Sequence, residues 1–243
     1  MKRSIGRRSG ARGRARGRAL ALLSGGLDST VSTALALADV DVLAAVTFRY
    51  GQRAAAEEVR AARRIAKRLK ITHRVISLPW LGHLPGGALT DSSRNLPAVA
   101  VSDLKKGRIE SAARAVWVPN RNGLFINVAA CLAEAWDASF IIGGFNREEA
   151  DAFPDNGPEF VHAVNESLRT STLTGVRVVS YVQEMDKTEM VEEGVRIGAP
   201  LGEIYSCYRG ESDHCGRCES CRRLERAFRS AGCWDRIRPR FKR

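Results

Sequence analysis

Apolar residues along this chain follow two alternating rhythms. Short runs near 20–24, 40–48, 73–79, 115–119, 139–143 and 176–181 read as strands, several of them apolar on both faces. Between them, stretches near 29–38, 53–70, 122–136, 158–169, 188–197 and 219–230 read as helices. This alternation predicts an α/β fold, a Rossmann-like, largely parallel sheet flanked by helices. In 53–70 one face carries Val59, Ala62, Ile65, Ala66 and Leu69, so the basic residues of that helix belong to a solvated surface. Asp186 and Glu189 have capping-box spacing, which puts Lys187 at the mouth of a helix. Residues 80–114 keep neither period and are rich in Gly, Pro, Ser and charge, the composition of a lid or a disordered excursion. His83, within that stretch, is given no role.

A chain of 243 residues with 44% hydrophobic content has enough apolar material for one substantial core. We divide it into a basic tail at 1–18, an α/β domain at 19–200, a small metal-binding region at 201–232 and a basic C-terminal tail at 233–243. The net charge of +12 is concentrated at the start, where Lys2, Arg3, Arg7, Arg8, Arg12, Arg14, Arg16 and Arg18 meet no acid; the rest carries +4. The tail is read as a solvated extension in preference to a nucleic-acid contact. It has no apolar core of a signal peptide, so the expected location is cytoplasmic, with no membrane association.

Chemistry first appears where the first strand meets the first helix. Ser24-Gly25-Gly26 followed by Asp28-Ser29-Thr30 is suited to hold a pyrophosphate. The glycines allow a tight turn, and backbone N–H groups and the hydroxyls of Ser24, Ser29 and Thr30 converge at a helix N-terminus, where Asp28 can orient Mg²⁺. Neither G-x-x-x-x-G-K-[ST] nor G-x-G-x-x-G occurs, which disfavours a Walker-type ATPase and a dinucleotide-binding domain. Cys207, Cys215, Cys218 and Cys221 lie within fifteen residues and offer four thiolates to a closed, structural Zn²⁺ site; an iron–sulfur cluster and a redox pair are the alternatives. Cys131 is read as a small buried hydrophobe and Cys233 as an unpartnered thiol. Arg121, in Val118-Pro-Asn-Arg-Asn122, and Lys187 are candidate partners for an anion. Tyr50-Gly51-Gln52-Arg53 falls beside the nucleotide crevice, and the acids of 143–156 could accept hydrogen bonds from a purine-like ring.

Together, SGGLDST at 24–30, YGQR at 50–53, VPNRN at 118–122, FPDN at 153–156, DKTE at 186–189 and SCYRG with CGRCESC at 206–221 resemble the 7-cyano-7-deazaguanine synthases, members of the N-type ATP pyrophosphatases. The resemblance implies a homodimeric, zinc-containing ligase of queuosine and archaeosine precursor synthesis. It would convert 7-carboxy-7-deazaguanine and ammonia to the nitrile while two ATP are cleaved to AMP and pyrophosphate. It assigns ATP to Leu22, Leu23, Ser24, Gly25, Gly26, Leu27, Asp28, Ser29, Thr30, Val31 and Ser32, and catalysis to Asp28, Lys187 and Arg121. The deazaguanine falls to Arg53, Arg121, Asn122, Phe153 and Asp155, with Asp155 on the base edge. This chain departs from the family in having Asn120 where VPGRN has Gly, and Asn156-Gly157 where Cys-Arg follows the Asp. A tRNA-thiolating enzyme on the same scaffold would need a further catalytic cysteine. A nucleic-acid-binding zinc module would leave the phosphate loop without a purpose.

Overall fold

The structure, a computed structural model, describes residues 16–85, 87–98, 100 and 108–242. Most of the basic tail therefore lies outside the described residues. Five strands, β1 (Arg18–Leu22), β2 (Asp41–Arg49), β3 (His73–Ser77), β4 (Phe140–Gly143) and β5 (Arg177–Ser180), form one sheet in the order β3-β2-β1-β4-β5. Every pairing is parallel. Helices α1 (Leu27–Ala36), α2 (Ala55–Leu69), α3 (Arg108–Val116), α4 (Arg121–Ala135), α5 (Arg147–Ala150), α6 (Pro158–Ser171), α7 (Lys187–Arg196) and α8 (Glu219–Ser230) complete the chain. The first crossovers run outward through β2 to β3, and the chain then returns to place β4 on the other side of β1. That reversal opens a crevice at the carboxyl ends of β1 and β4.

Burial explains the strand sequences. Ala19, Leu20 and Ala21 of β1 and Ile141 and Ile142 of β4 are covered on both faces, so alternation is lost and the segments are apolar throughout. One cluster joins β1 and β2 to α1, α2, α7 and α8; a second packs α4 and α6 on the opposite face. A third holds Val46 and Phe48 of β2 with Leu81, Ala88, Leu89, Leu96, Val116 and Val118. Much of the long aperiodic segment is thus a packed wall. Its apolar positions follow a turn at Pro79–His83 and irregular backbone, and neither gives a repeat that a sequence pattern would reveal.

Four expectations are corrected. The apolar run at 115–119 is no strand: α3 extends to Val116, and Val116 and Val118 are buried by side-chain packing in the third cluster. Arg18 belongs to β1, where it pairs with Asp137 at 2.8 Å. Cys131 is exposed, because the inward face of α4 is taken by Ile126, Ala129, Ala130 and Ala133. Residues 234–241 are packed rather than trailing: Phe241 stacks on His214 with ring centroids 4.7 Å apart, and short turns span Trp234–Arg236 and Arg238–Arg240.

The capping box at α7 is formed: the Asp186 side chain accepts from the Thr188 and Glu189 N–H groups at 2.8 and 2.9 Å, and Glu189 reaches back to the Asp186 N–H at 2.8 Å. Asp186→Ala is expected to cost about 1 kcal/mol of stability, read as a lower urea midpoint with an unchanged slope.

Candidate active site

The crevice contains a cavity of about 280 Å³ at the carboxyl ends of β1, β2 and β4. Its floor is the turn from β1 into α1. Gly25 has φ +88°, a conformation that disfavours a side chain, and any Cβ there would meet the Glu58 carbonyl of α2 at 2.9 Å. Gly26 caps α1 with no side-chain hydrogen bond, so the first N–H groups of this ten-residue helix remain available to an anion. The hydroxyls of Ser24 and Ser29 lie 3.0 Å apart on the cavity wall. Gly144, just after β4, closes the other side, and a Cβ there would stand 2.7 Å from the Ser29 nitrogen.

Of the ATP-loop residues, Leu22, Leu23, Ser24, Gly26, Leu27, Asp28 and Ser29 line the cavity, whereas Gly25, Thr30, Val31 and Ser32 do not. The Thr30 hydroxyl donates to the Gly26 carbonyl at 2.6 Å and that of Ser32 to the Gly143 carbonyl at 2.5 Å; both side chains are fully buried. Val31 is core. These residues hold the loop from behind. Arg53 is likewise outside the cavity wall, with its guanidinium bound to the carbonyls of Asp91 and Arg94.

Lys187, at the first position of α7, projects into the cavity with only 8% of its surface exposed. Its Nζ lies 2.7 Å from Asp28 Oδ2 and 2.7 Å from Glu149 Oε1. Burial works against the charged amine, but the two carboxylates outweigh it and hold its pKa above the ordinary value. Burial likewise raises Asp28, whereas for Glu149 the neighbouring cations, led by Lys187, outweigh burial and hold the carboxyl low. The triad thus places one ammonium between two carboxylates beside the phosphate loop. Two acids of the loop expected to meet a purine ring have ion-pair partners here: Glu149 pairs with Lys187, and Glu148 pairs with Arg223 at 2.7 Å and with Arg226 at 2.5 Å. Neither role was visible in the sequence, although two adjacent acids just after a strand ending in Gly-Gly gave the location.

The cavity wall also carries Arg121, Asn122, Phe153 and Asp155. Arg121 donates to the Tyr50 hydroxyl at 3.3 Å, and Asn122 donates to the Asp155 carbonyl at 3.2 Å. Burial opposes the Arg121 charge, but Tyr50, Asp155 and Glu58 more than compensate, so the guanidinium stays protonated. Burial raises the carboxyls of both Asp155 and Glu58. Asn120 precedes Arg121 with φ 50°, a left-handed conformation that glycine adopts freely and asparagine tolerates. Asn in place of Gly therefore preserves the turn that aims Arg121.

Behind the cavity, the sulfurs of Cys207, Cys215, Cys218 and Cys221 all lie within 4.8 Å of one another and are buried. Cys215 and Cys221 Sγ are 3.9 Å apart, near the roughly 3.8 Å edge of a tetrahedral ZnS₄ site. The N–H groups of Arg217 and Cys218 each point to Cys215 Sγ at 3.4 Å, the support a thiolate needs. The donor set therefore fits a thiophilic ion. The region is continuous with the active site: the Tyr205 N–H donates to the Gly25 carbonyl at 2.8 Å, and Tyr205, Ser206, Tyr208, Ser220 and Leu224 line the cavity.

A family model described as queuosine biosynthesis protein QueC matches residues 18–232. The chain is 51% identical over 214 residues to the 7-cyano-7-deazaguanine synthase of Desulforudis audaxviator, covering 88% of this chain and 97% of that protein. It is 40% identical over 228 residues to the one from Methanosarcina barkeri, covering 92% and 99%. A solved 4-thiouridine synthetase in complex with RNA and ATP superposes on 90% of this chain and 51% of that one, with 20% identity and a TM-score of 0.49. No helix among the described residues is long and apolar enough to cross a membrane.

The pairing of Glu148 has a pH signature. Burial alone would raise its pKa, but Arg226, the Lys187 N–H, Lys187 and Arg223 reverse this and hold it below the ordinary 4.5. A lowered carboxylate pKa gives stability that is present above pH 4.5 and lost as pH falls through the folded-state value. Glu148→Gln should therefore destabilise the protein at pH 7 and flatten the acid limb of a stability–pH curve. An acid limb identical to that of the wild type would show that the pair does not contribute.

Proposed function

This chain belongs to the QueC family of queuosine biosynthesis proteins, and from that premise we propose that it is a 7-cyano-7-deazaguanine synthase of the AMP-forming type. The observation that carries the reading is the cavity itself, whose wall combines an uncapped helix N-terminus and a buried ammonium with Arg121 and Asp155. In this reaction the carboxylate of 7-carboxy-7-deazaguanine attacks the α-phosphorus of ATP and pyrophosphate leaves. Ammonia then displaces AMP to give the amide. The amide oxygen attacks a second ATP, again releasing pyrophosphate, and loss of AMP and two protons leaves the nitrile. Both rounds make the same demand, stabilisation of charge developing on phosphate oxygens.

The α1 N–H groups and the Ser24 and Ser29 hydroxyls would receive the pyrophosphate, and Lys187 would neutralise it. Asp28 and Glu149 supply the hard oxygen donors that Mg²⁺ takes, and when bound that ion would screen the triphosphate. Arg121 would meet the substrate carboxylate. Asp155, an acceptor when ionised, would take paired N–H donors from the guanine-like edge. The cysteine cluster would hold one structural Zn²⁺, since four thiolates leave no open position for a reacting ligand. A homodimer, ammonia as the nitrogen donor and a cytoplasmic location complete the proposal on family grounds.

Incubation with ATP, Mg²⁺, ammonium and 7-carboxy-7-deazaguanine should yield the nitrile together with AMP by mass spectrometry; ADP in place of AMP would refute the adenylating chemistry. Asp155→Asn should raise KM for the deazaguanine roughly tenfold to hundredfold. The wild type should lose that substrate as pH falls through the pKa of Asp155, which burial lifts above 3.8. Purified protein should carry about one zinc per chain, and Cys218→Ser should lose it along with helical signal; iron–sulfur absorbance would overturn the assignment.

A further inference from the structure

One pair of cavity residues is not accounted for by the phosphate chemistry. Trp117 and Phe153 both line the cavity, both are half-buried, and their rings are parallel to within 11° with centroids 6.3 Å apart. The neighbouring pair Phe48 and Phe125 stacks at 4.2 Å, so those two rings cover each other. Trp117 and Phe153 stand further apart in a common orientation, which allows a single planar ligand to lie parallel to both.

The surrounding backbone is organised to hold them. The Gly87 N–H donates to the Trp117 carbonyl at 3.1 Å and the Ala88 N–H to the Ala115 carbonyl at 2.6 Å. A Cβ on Gly87 would fall 2.6 Å from the Ala115 carbonyl oxygen and 2.8 Å from that of Trp117, so only glycine allows this close approach. Phe153 is held from the other side, its N–H donating to the Glu149 carbonyl at 2.9 Å. One turn of chain therefore links the residue paired with Lys187 to the ring of Phe153, and Asp155 follows two residues later.

We propose that Trp117 and Phe153 form the stacking platform for the deazaguanine bicycle and that, with Asp155, they select a guanine-like ring over adenine. The inference rests on the reading of the substrate given above and deepens it. Stacking alone is tolerant, because every base has a π-face. Discrimination comes from the carboxylate, which accepts two adjacent N–H donors of a guanine-type edge. An adenine edge offers one amino group next to a ring acceptor and would set that acceptor against the carboxylate.

Steady-state kinetics of Trp117→Ala should show KM for 7-carboxy-7-deazaguanine raised roughly tenfold, with KM for ATP within about twofold of wild type. Trp117→Phe should restore most of the loss. Ring stacking should also quench indole fluorescence on addition of the substrate without ATP, and Trp117→Phe should bind by calorimetry while losing the quench. An unchanged substrate KM, or equal rises for ATP and substrate, would overturn the proposal. Should Trp117→Ala fail to fold by circular dichroism, Phe153→Leu carries the same expectation. If the wild type makes no nitrile, the reaction assignment fails separately. The platform is then tested by binding of 7-deazaguanine against adenine: affinity for 7-deazaguanine that Trp117→Phe keeps and Phe153→Leu weakens, with a preference over adenine that Asp155→Asn removes, supports it, and equal binding of the two bases by the wild type overturns it.

Discussion

A buried ammonium between two carboxylates sets the terms for the rest of this structure. Lys187 occupies the first position of α7, where the partial positive charge of a helix N-terminus disfavours a cation, and it is almost wholly removed from water. Asp28 and Glu149 supply the compensating charge, and they come from the N-terminal turn of α1 and from α5. Three separate elements must therefore meet at one atom. Removal of Lys187 would leave two buried carboxylates without a cation between them, so the arrangement favours one docking of α7 and α5 against the phosphate loop. Such a site is a costly way to stabilise a fold, and on the proposed reading its value lies in an ammonium and two oxygen donors fixed beside the phosphate loop before the nucleotide and its metal arrive.

The second ring of charge extends that constraint to the cysteine cluster. Glu148 stands next to Glu149 and is bound by Arg223 and Arg226 of α8; Arg223 also pairs with Glu219, whose other oxygen accepts from the Tyr208 hydroxyl at 3.1 Å. Cys221 lies on the same helix, and Cys207 is adjacent to Tyr208 in sequence. A metal held by the four thiolates would fix the start of α8, and α8 in turn fixes α5. A division at residue 201 therefore separates parts that share one core, since Cys207, Cys215, Cys218 and Cys221 pack in the same cluster as β1 and α1.

What could be read from the sequence was what local chemistry dictates. The Gly-Gly turn, the Asp186 capping box and the closely spaced cysteines are each specified within a few residues, and the structure forms all three. The helix boundaries near 55–69 and 219–230 follow from one-sided apolar patterns. Long-range geometry was not legible. Val116 and Val118 look like a strand because short apolar runs do not distinguish sheet pairing from side-chain packing. Cys131 was misplaced because α4 is apolar on most of its surface, leaving its phase undefined. Thr30 has the right residue type for a phosphate ligand, but one turn into α1 its hydroxyl falls within reach of the Gly26 carbonyl and is used there.

Topology explains why one segment supplies both the partner of Lys187 and the residues beside Arg121. Because β4 returns beside β1, the chain leaving β4 passes directly over the start of α1, close enough that Gly144 leaves no room for a side chain against Ser29. Within the next dozen residues that same chain provides Glu149, Phe153 and Asp155, all on the cavity wall. On the proposed reading, the first bears on the triphosphate and the other two on the ring whose carboxylate attacks it. The separation of nucleophile and α-phosphorus is then set by a short helix and a turn, with no domain motion required to define it. On that reading the substrate is activated twice, first at one carboxylate oxygen and then at the oxygen that remains in the amide, and the ring can keep its place while one ATP replaces another.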